Sequence, residues 1–305
     1  MPDIIIGHLF FFMRLSAYYS SYIQNIIRAK FKGAFSMKKQ LGVILLGLIT
    51  IFAITGCGAS KTSTTDADKK TIIVGASPIP HAEILAEVKK ILAKQGYTLT
   101  VKTFTDYVQP NVALNDGTLD ANFFQHIPYL NSFNKDSKTN LVPTVKVHIE
   151  PMGIYSKKIK SLKDIKDGSK VAIPNDASNE ARALQLLAKS GLIKVKKTDL
   201  PTPKDITENK KNLKITELEA AQLPRTLDDV DVSVINANYA LQANLNPTKD
   251  ALFLEAKDSP YANVIAVKKG NENKPYIKAL DKAINSPEIK KFINEKYKGS
   301  IIPAF

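Results

Sequence analysis

The chain of 305 residues contains a single cysteine, Cys57. No intramolecular disulfide can form, and once Cys57 is used elsewhere there is no thiol nucleophile and no cysteine metal site. The apolar run Leu41–Thr55 falls short of the roughly twenty residues that a membrane span needs. No GxSxG elbow, HExxH helix or P-loop occurs, so the chain lacks these hydrolase, zinc-protease and nucleotide-enzyme signatures and is expected not to be an enzyme. Clustered arginine interleaved with aromatic platforms, which nucleic-acid binding requires, is also missing. Three histidines follow Cys57, namely His81, His126 and His148. They lack the close spacing of a metal site, so no metal and no cofactor is expected.

What is present begins at Met37. Met37-Lys38-Lys39, then Leu41–Thr55, then Gly56-Cys57 is the order of a secretory signal: basic start, short apolar stretch, small residues at the cut. A cysteine at that junction offers a thiolate for lipidation, so residues 37–56 are expected to be a lipoprotein signal peptide. A buried helix fits less well, because Gly58–Lys70 is small and polar. Residues 57–70 read instead as a lipidated anchor and flexible linker. Residues 1–36 precede the signal awkwardly and read as a mistaken upstream translation; their peptides in the uncleaved precursor would contradict this. The rival reading is a membrane-active leader, since Ile4–Met13 is apolar.

Of 43 basic and 29 acidic residues, six and one lie in residues 1–56, leaving the remainder at +9, mostly scattered lysine. Such lysine belongs to solvated helix faces and is compatible with anionic lipid headgroups. The 235 residues from Thr71 onward are long for one hydrophobic core and suit two modest lobes.

In that stretch β-branched runs alternate with amphipathic segments. Strands are expected at Thr71–Val74, Tyr97–Thr103, Ala121–Phe124 and Leu141–Val147. After Met152–Tyr155 the pattern restarts, with strands at Lys170–Ile173, Lys214–Leu218, Val232–Ile235 and Val264–Val267. Helices are expected over His81–Gln95, over Pro110–Asn115, from a Ser178 cap to Ser190, from Pro224, and twice around Ser286-Pro287. This alternation predicts parallel sheets with right-handed crossovers, in two groups with a cleft between them. Ligands in such sheets bind beyond the carboxyl ends of the strands.

The segments there are rich in chemistry. Tyr107, Phe124 and Tyr129 supply apolar walls with polar tips, although pattern alone leaves them divided between pocket and core. Phe123, on the opposite face of its strand from Phe124, reads as core. Arg182 follows the Ser178 cap, where a carboxylate would meet a guanidinium fork and a favourable helix end; the alternative is a surface pair with Glu180 or Asp176. Asn236 and Asn263 flank strands, and either could simply cap or turn the chain.

At these residues the chain resembles the methionine-binding lipoproteins of the MetQ/NlpA family, substrate-binding components of ABC importers. The stretches that carry the resemblance include PHAEIL (Pro80–Leu85), FTDYVQPNVAL (Phe104–Leu114), DANFFQHIPYL (Asp120–Leu130), VAIPNDASNEARAL (Val171–Leu184), VINANYA (Val234–Ala240) and SPYANVI (Ser259–Ile265). The resemblance implies an α/β, type II periplasmic-binding-protein fold: two α/β lobes with a ligand cleft between them, 71–149 plus 262–305 forming one and 150–261 the other. It implies that Tyr107, Phe124, His126 and Tyr129 surround a methionine side chain, that Arg182 holds the α-carboxylate, and that Asn236 and Asn263 bind the polar end. The implied partners are methionine or a close analogue, the ABC permease with its ATPase subunit, and the membrane through the lipid anchor, with the protein itself a monomer. The departure is Phe123, where relatives often carry a smaller residue. A metal-binding or other amino-acid-binding lipoprotein is the alternative function.

Overall fold

The computed structural model describes Lys69–Phe305 apart from Asp258. Cys57, the expected signal peptide and most of the linker lie outside the described residues. No helix among the described residues is long and apolar enough to cross a membrane.

The first β-branched run forms β1 (Thr71–Ala76), and helix α1 (Glu83–Lys94) buries Ile84, Leu85, Val88 and Leu92 on one face. These apolar residues recur at helical spacing and so make a single stripe toward the core. Gly96, at φ +77, turns the chain into β2 (Thr98–Thr103). Helix α2 (Gln109–Asn115) leads to β3 (Ala121–His126), which is buried at every position. A helix that the sequence reading passed over follows at once: α3 (Ile127–Ser137), with Pro128 in its first turn, where the missing N–H costs nothing. Strand β4 (Leu141–Ile149) completes this part.

The chain then enters a second sheet through β5 (Gly153–Tyr155) and β6 (Lys170–Pro174). Helix α4 (Ala177–Lys189) is capped by Asp176, which accepts the Asn179 N–H at 3.0 Å, and not by Ser178 as the sequence suggested. A carboxylate suits the positive helix end better than a hydroxyl does. The Ser178 hydroxyl donates to Asp176 instead. A small ribbon of β7 (Lys194–Val195) and β8 (Ile206–Glu208) precedes β9 (Lys214–Leu218). Pro224 does not start a helix but sits inside a 3-10 segment, Ala220–Asp228. Then come β10 (Val232–Ile235), short helices α5 (Ala237–Gln242) and α6 (Pro247–Asp250), and β11 (Phe253–Leu254). The chain returns to the first sheet as β12 (Ala262–Lys268), followed by α7 (Pro275–Ile284), α8 (Pro287–Tyr297) and β13 (Ile302–Pro303).

The six-stranded sheet runs β13-β4-β12-β3-β1-β2 and the five-stranded one β11-β5-β10-β6-β9. Both are mixed, which corrects the expectation of parallel sheets. β1 is parallel to β2 and β3, but β12 runs antiparallel to both β3 and β4. In the second sheet β10 is parallel to β6 and antiparallel to β5. Where the chain crosses between sheets without a βαβ helix, its next strand is free to enter antiparallel.

Each sheet has its own apolar core. One gathers Ile72, Leu85, Phe123, Ile265, Leu280 and Ile293; the other gathers Ile154, Ile173, Leu184, Leu187 and Val234. A buried amide network of Asn111, Asn122 and Gln125, with contacts of 2.7–2.9 Å, fastens α2 to β3. That fixes the loop that carries Tyr107.

Candidate functional site

Between the sheets lies a small cavity lined by residues from both lobes. Tyr107, Phe124, His126, Tyr129, Arg182, Asn236 and Asn263 all line it, and Gln125, Glu150, Asn179 and Ala237 line it with them.

The aromatic wall comes from the loop after β2 and from the β3–α3 junction. The Tyr107 ring lies 5.8 Å from Phe124 and 5.6 Å from Tyr129, and Phe124 lies 5.9 Å from Tyr129. Two of the three pairs are edge-to-face, the arrangement that ring quadrupoles favour. Phe123 points away and packs edge-on against His81 and His148, as the alternation along β3 requires.

His126 ends β3 and caps α3. Its Nδ1 accepts the Tyr129 N–H at 3.2 Å, so Nε2 carries the proton and donates to Asn179 Oδ1 at 3.1 Å. Burial, with Arg182 adding to it, lowers this imidazole to about 3. Because the folded value lies below the unfolded 6.5, the unfolded chain takes up the proton first as pH falls. The stability is present above about 6.5 and is lost on the way down to about 3. Between those limits the wild type is expected to lose stability relative to His126→Gln by up to about 1.4 kcal/mol per pH unit. Urea unfolding of both proteins from pH 7 to pH 4 checks this; parallel curves would contradict it.

The polar end is built across both sheets. Asn236 Nδ2 donates to Asn179 Oδ1 at 2.8 Å, while its Oδ1 is buried with no partner among the described residues. Asn263 lies within β12, not before it, and pairs in register with His126 on β3 and His148 on β4. Its Oδ1 meets His81 Nε2 at 3.1 Å.

Arg182 is the sixth residue of α4, beyond the free N–H groups of the first turn, and it is buried. It does not form the surface pair with Glu180 or Asp176. Its Nε donates to Glu255 Oε1 at 3.1 Å, and its Nη2 donates to the Glu150 carbonyl at 2.7 Å and to Glu255 Oε2. The guanidinium also lies 4.3 Å from the Tyr261 ring centre. One side chain is thus tied to both segments that cross between the sheets.

Sequence reasoning missed Glu150 and Glu255. Glu255 is 73 residues from Arg182, and nothing local marks the pair. Glu150 left a trace, because His148 and Glu150 stand two apart at the end of a strand and so share a face. His148 Nε2 meets Glu150 Oε1 at 2.7 Å, and His81 Nε2 meets it at 3.1 Å. Sequence spacing gave no sign that His81 joins them.

Two mixed α/β lobes around a cavity with an aromatic wall and a polar end define a two-lobed solute-binding protein with the type II periplasmic-binding-protein fold. Residues 72–305 match the family model described as NlpA lipoprotein, and the chain belongs to that family. It is 46% identical to the D-methionine-binding lipoprotein MetQ of Salmonella typhi over 261 residues, 84% of this chain and 94% of that one. It is 44% identical to the methionine-binding lipoprotein MetQ of Bacillus subtilis over 276 residues, 88% and 99% of the two chains. A nutrient-binding protein from Burkholderia cenocepacia, solved bound to methionine, superposes with a TM-score of 0.75 at 52% identity, covering 77% of this chain and all of that one.

Proposed function

We propose that this chain is the substrate-binding lipoprotein of an ABC importer, capturing methionine between lobes 71–149 plus 262–305 and 150–261. The observation that carries this is one cavity with an aromatic wall on one side and Arg182, Glu150, Asn236 and Asn263 on the other. A thioether against aromatic rings gains roughly 0.3–1.5 kcal/mol per contact, and burying the side chain roughly 1.5–3 kcal/mol. With Nε and Nη2 of Arg182 engaged, Nη1 is left for the α-carboxylate. Glu150 and the free Oδ1 of Asn236 suit the ammonium, and lobe closure excludes water from all of these contacts. The site binds without turnover. Cys57 carries the lipid and holds the protein, as a monomer, on the outer face of the membrane beside the permease and its ATPase.

Native mass spectrometry of protein extracted from membranes is expected to show lipid mass at Cys57 and co-purified methionine. In calorimetry of the stripped protein, L-methionine should bind, and D-methionine, the sulfoxide and methionine dipeptides rank the specificity. Ligand at a hundred times Kd should add about 2.7 kcal/mol of stability. If no amino acid raises the melting temperature, the proposal fails.

A further inference from the structure

Glu150 is the one carboxylate among the residues that line the cavity, and it is buried. Its Oε1 faces two imidazoles and its Oε2 accepts the Asn238 N–H at 3.2 Å. The nearby cation offsets its burial only in part, because Arg182 is paired with Glu255. Neither His81 nor His148 lines the cavity, and both are fully buried behind it. A ring nitrogen that meets a carboxylate as its hydrogen-bond partner must carry the proton. Both rings are then Nε2–H tautomers, and burial lowers them to about 4 and about 3, so they are neutral. His148 gives Glu150 a hydrogen bond, His81 gives its own to Asn263 Oδ1 while lying 3.1 Å from Glu150 Oε1, and neither ring brings positive charge. Burial raises the Glu150 carboxyl above its ordinary value, so its ionised form favours a cation beside it, in a fixed position.

The two rings are themselves held in place. Phe123 packs edge-on against each at 4.7 and 5.2 Å, and the rings lie 5.0 Å from one another. His81 also reaches Asn263 Oδ1. That fixes the orientation of the amide and turns its Nδ2 group away from the ring.

We propose that His148 is a positioning residue for the ammonium end of the ligand: from behind the wall it holds the Glu150 carboxylate, while His81 packs beside it and holds the Asn263 amide. This rests on the reading of the cavity as an amino-acid site. The same three residues, with ligand atoms within 4.8 Å of one another, are also of metal-binding type. Metal-bound histidines, however, donate their other N–H to an acceptor, and Nδ1 of both rings is buried without a partner among the described residues. As acceptors on neutral rings these atoms are tolerable; as N–H donors they would be stranded.

The test compares methionine with 4-(methylsulfanyl)butanoate, the same molecule without its amino group, by calorimetry. Wild type should prefer methionine strongly. His148→Phe keeps the ring against Phe123 and removes the donor. It should weaken methionine binding about tenfold to a hundredfold, the scale of one hydrogen bond to a charged group. The des-amino analogue should change less than threefold. His148→Gln, which returns an N–H near the Nε2 position, should recover most of the preference. If His148→Phe does not fold, His148→Leu, smaller and also without a donor, carries the same comparison. Equal losses for both ligands, or no loss for methionine, overturn the positioning role. Stabilisation of wild type by zinc or manganese, abolished in His148→Phe, would overturn it in favour of a metal site. If wild type binds neither ligand, the failure lies with the amino-acid reading instead.

Discussion

Arg182→Ala is expected to remove methionine binding and to destabilise the fold by about 3–5 kcal/mol, because it strands Glu255 as a buried charge without its partner. Loss of one member of a buried charge pair weakens binding by roughly 2–5 kcal/mol, about thirtyfold to several thousandfold. The stranded Glu255, facing the ligand carboxylate, adds repulsion. The two losses are separable. Arg182→Met with Glu255→Met replaces the whole pair by apolar side chains of similar length, and such replacements are often neutral in stability. The double variant should regain most of its resistance to urea while still failing to bind. Lys210→Ala, at a side chain 79% exposed, should stay within about 0.5 kcal/mol of wild type. A near-wild-type methionine titration for Arg182→Ala would remove Arg182 from the site.

The pair also shows what sequence could and could not reveal. The strands Lys214–Leu218 and Val232–Ile235 were legible to the residue because β-branched side chains (Ile215 and Thr216; Val232, Val234 and Ile235) lie between charge or turn chemistry on both sides. Helix α3 was not, since Asn131, Asn134 and Asp136 dilute its apolar stripe and Lys138, at φ 54, ends it where a glycine is usual. The α4 cap was ambiguous because Asp176 and Ser178 both have capping side chains. Sheet direction depends on where the chain crosses between lobes, which periodicity does not encode. For the site, the seven side chains were marked by residue type at strand ends and by family resemblance. The partners that orient them were hidden, because Glu255, His81 and Glu150 reach Arg182 and Asn263 only through tertiary packing.

Tyr107→Ala should be nearly as damaging to binding, for a different reason. Tyr107 packs against apolar clusters on both sides of the cleft, with the Tyr239 ring 5.0 Å away on the far side from the wall. Its phenol, raised well above its ordinary value by burial, stays a neutral donor and gives a hydrogen bond to Asn238 Oδ1 at 2.6 Å. Asn238 Nδ2 already lacks a partner among the described residues. Tyr107→Phe would therefore leave that whole buried amide unsatisfied, a cost of about 1–3 kcal/mol. Because the bond spans the cleft, the cost falls on the closed, ligand-holding state, and affinity should drop about tenfold. Tyr107→Ala loses the bond, the thioether contact and the packing with Phe124 and Tyr129. Together these come to roughly 3–4 kcal/mol, or several hundredfold in Kd. Calorimetry with methionine and norleucine separates the parts. Tyr107→Phe should keep the preference for sulfur, and Tyr107→Ala should narrow it. Wild-type affinity in Tyr107→Phe, with less than a threefold loss in Tyr107→Ala, would show that neither the ring nor its hydroxyl closes the site.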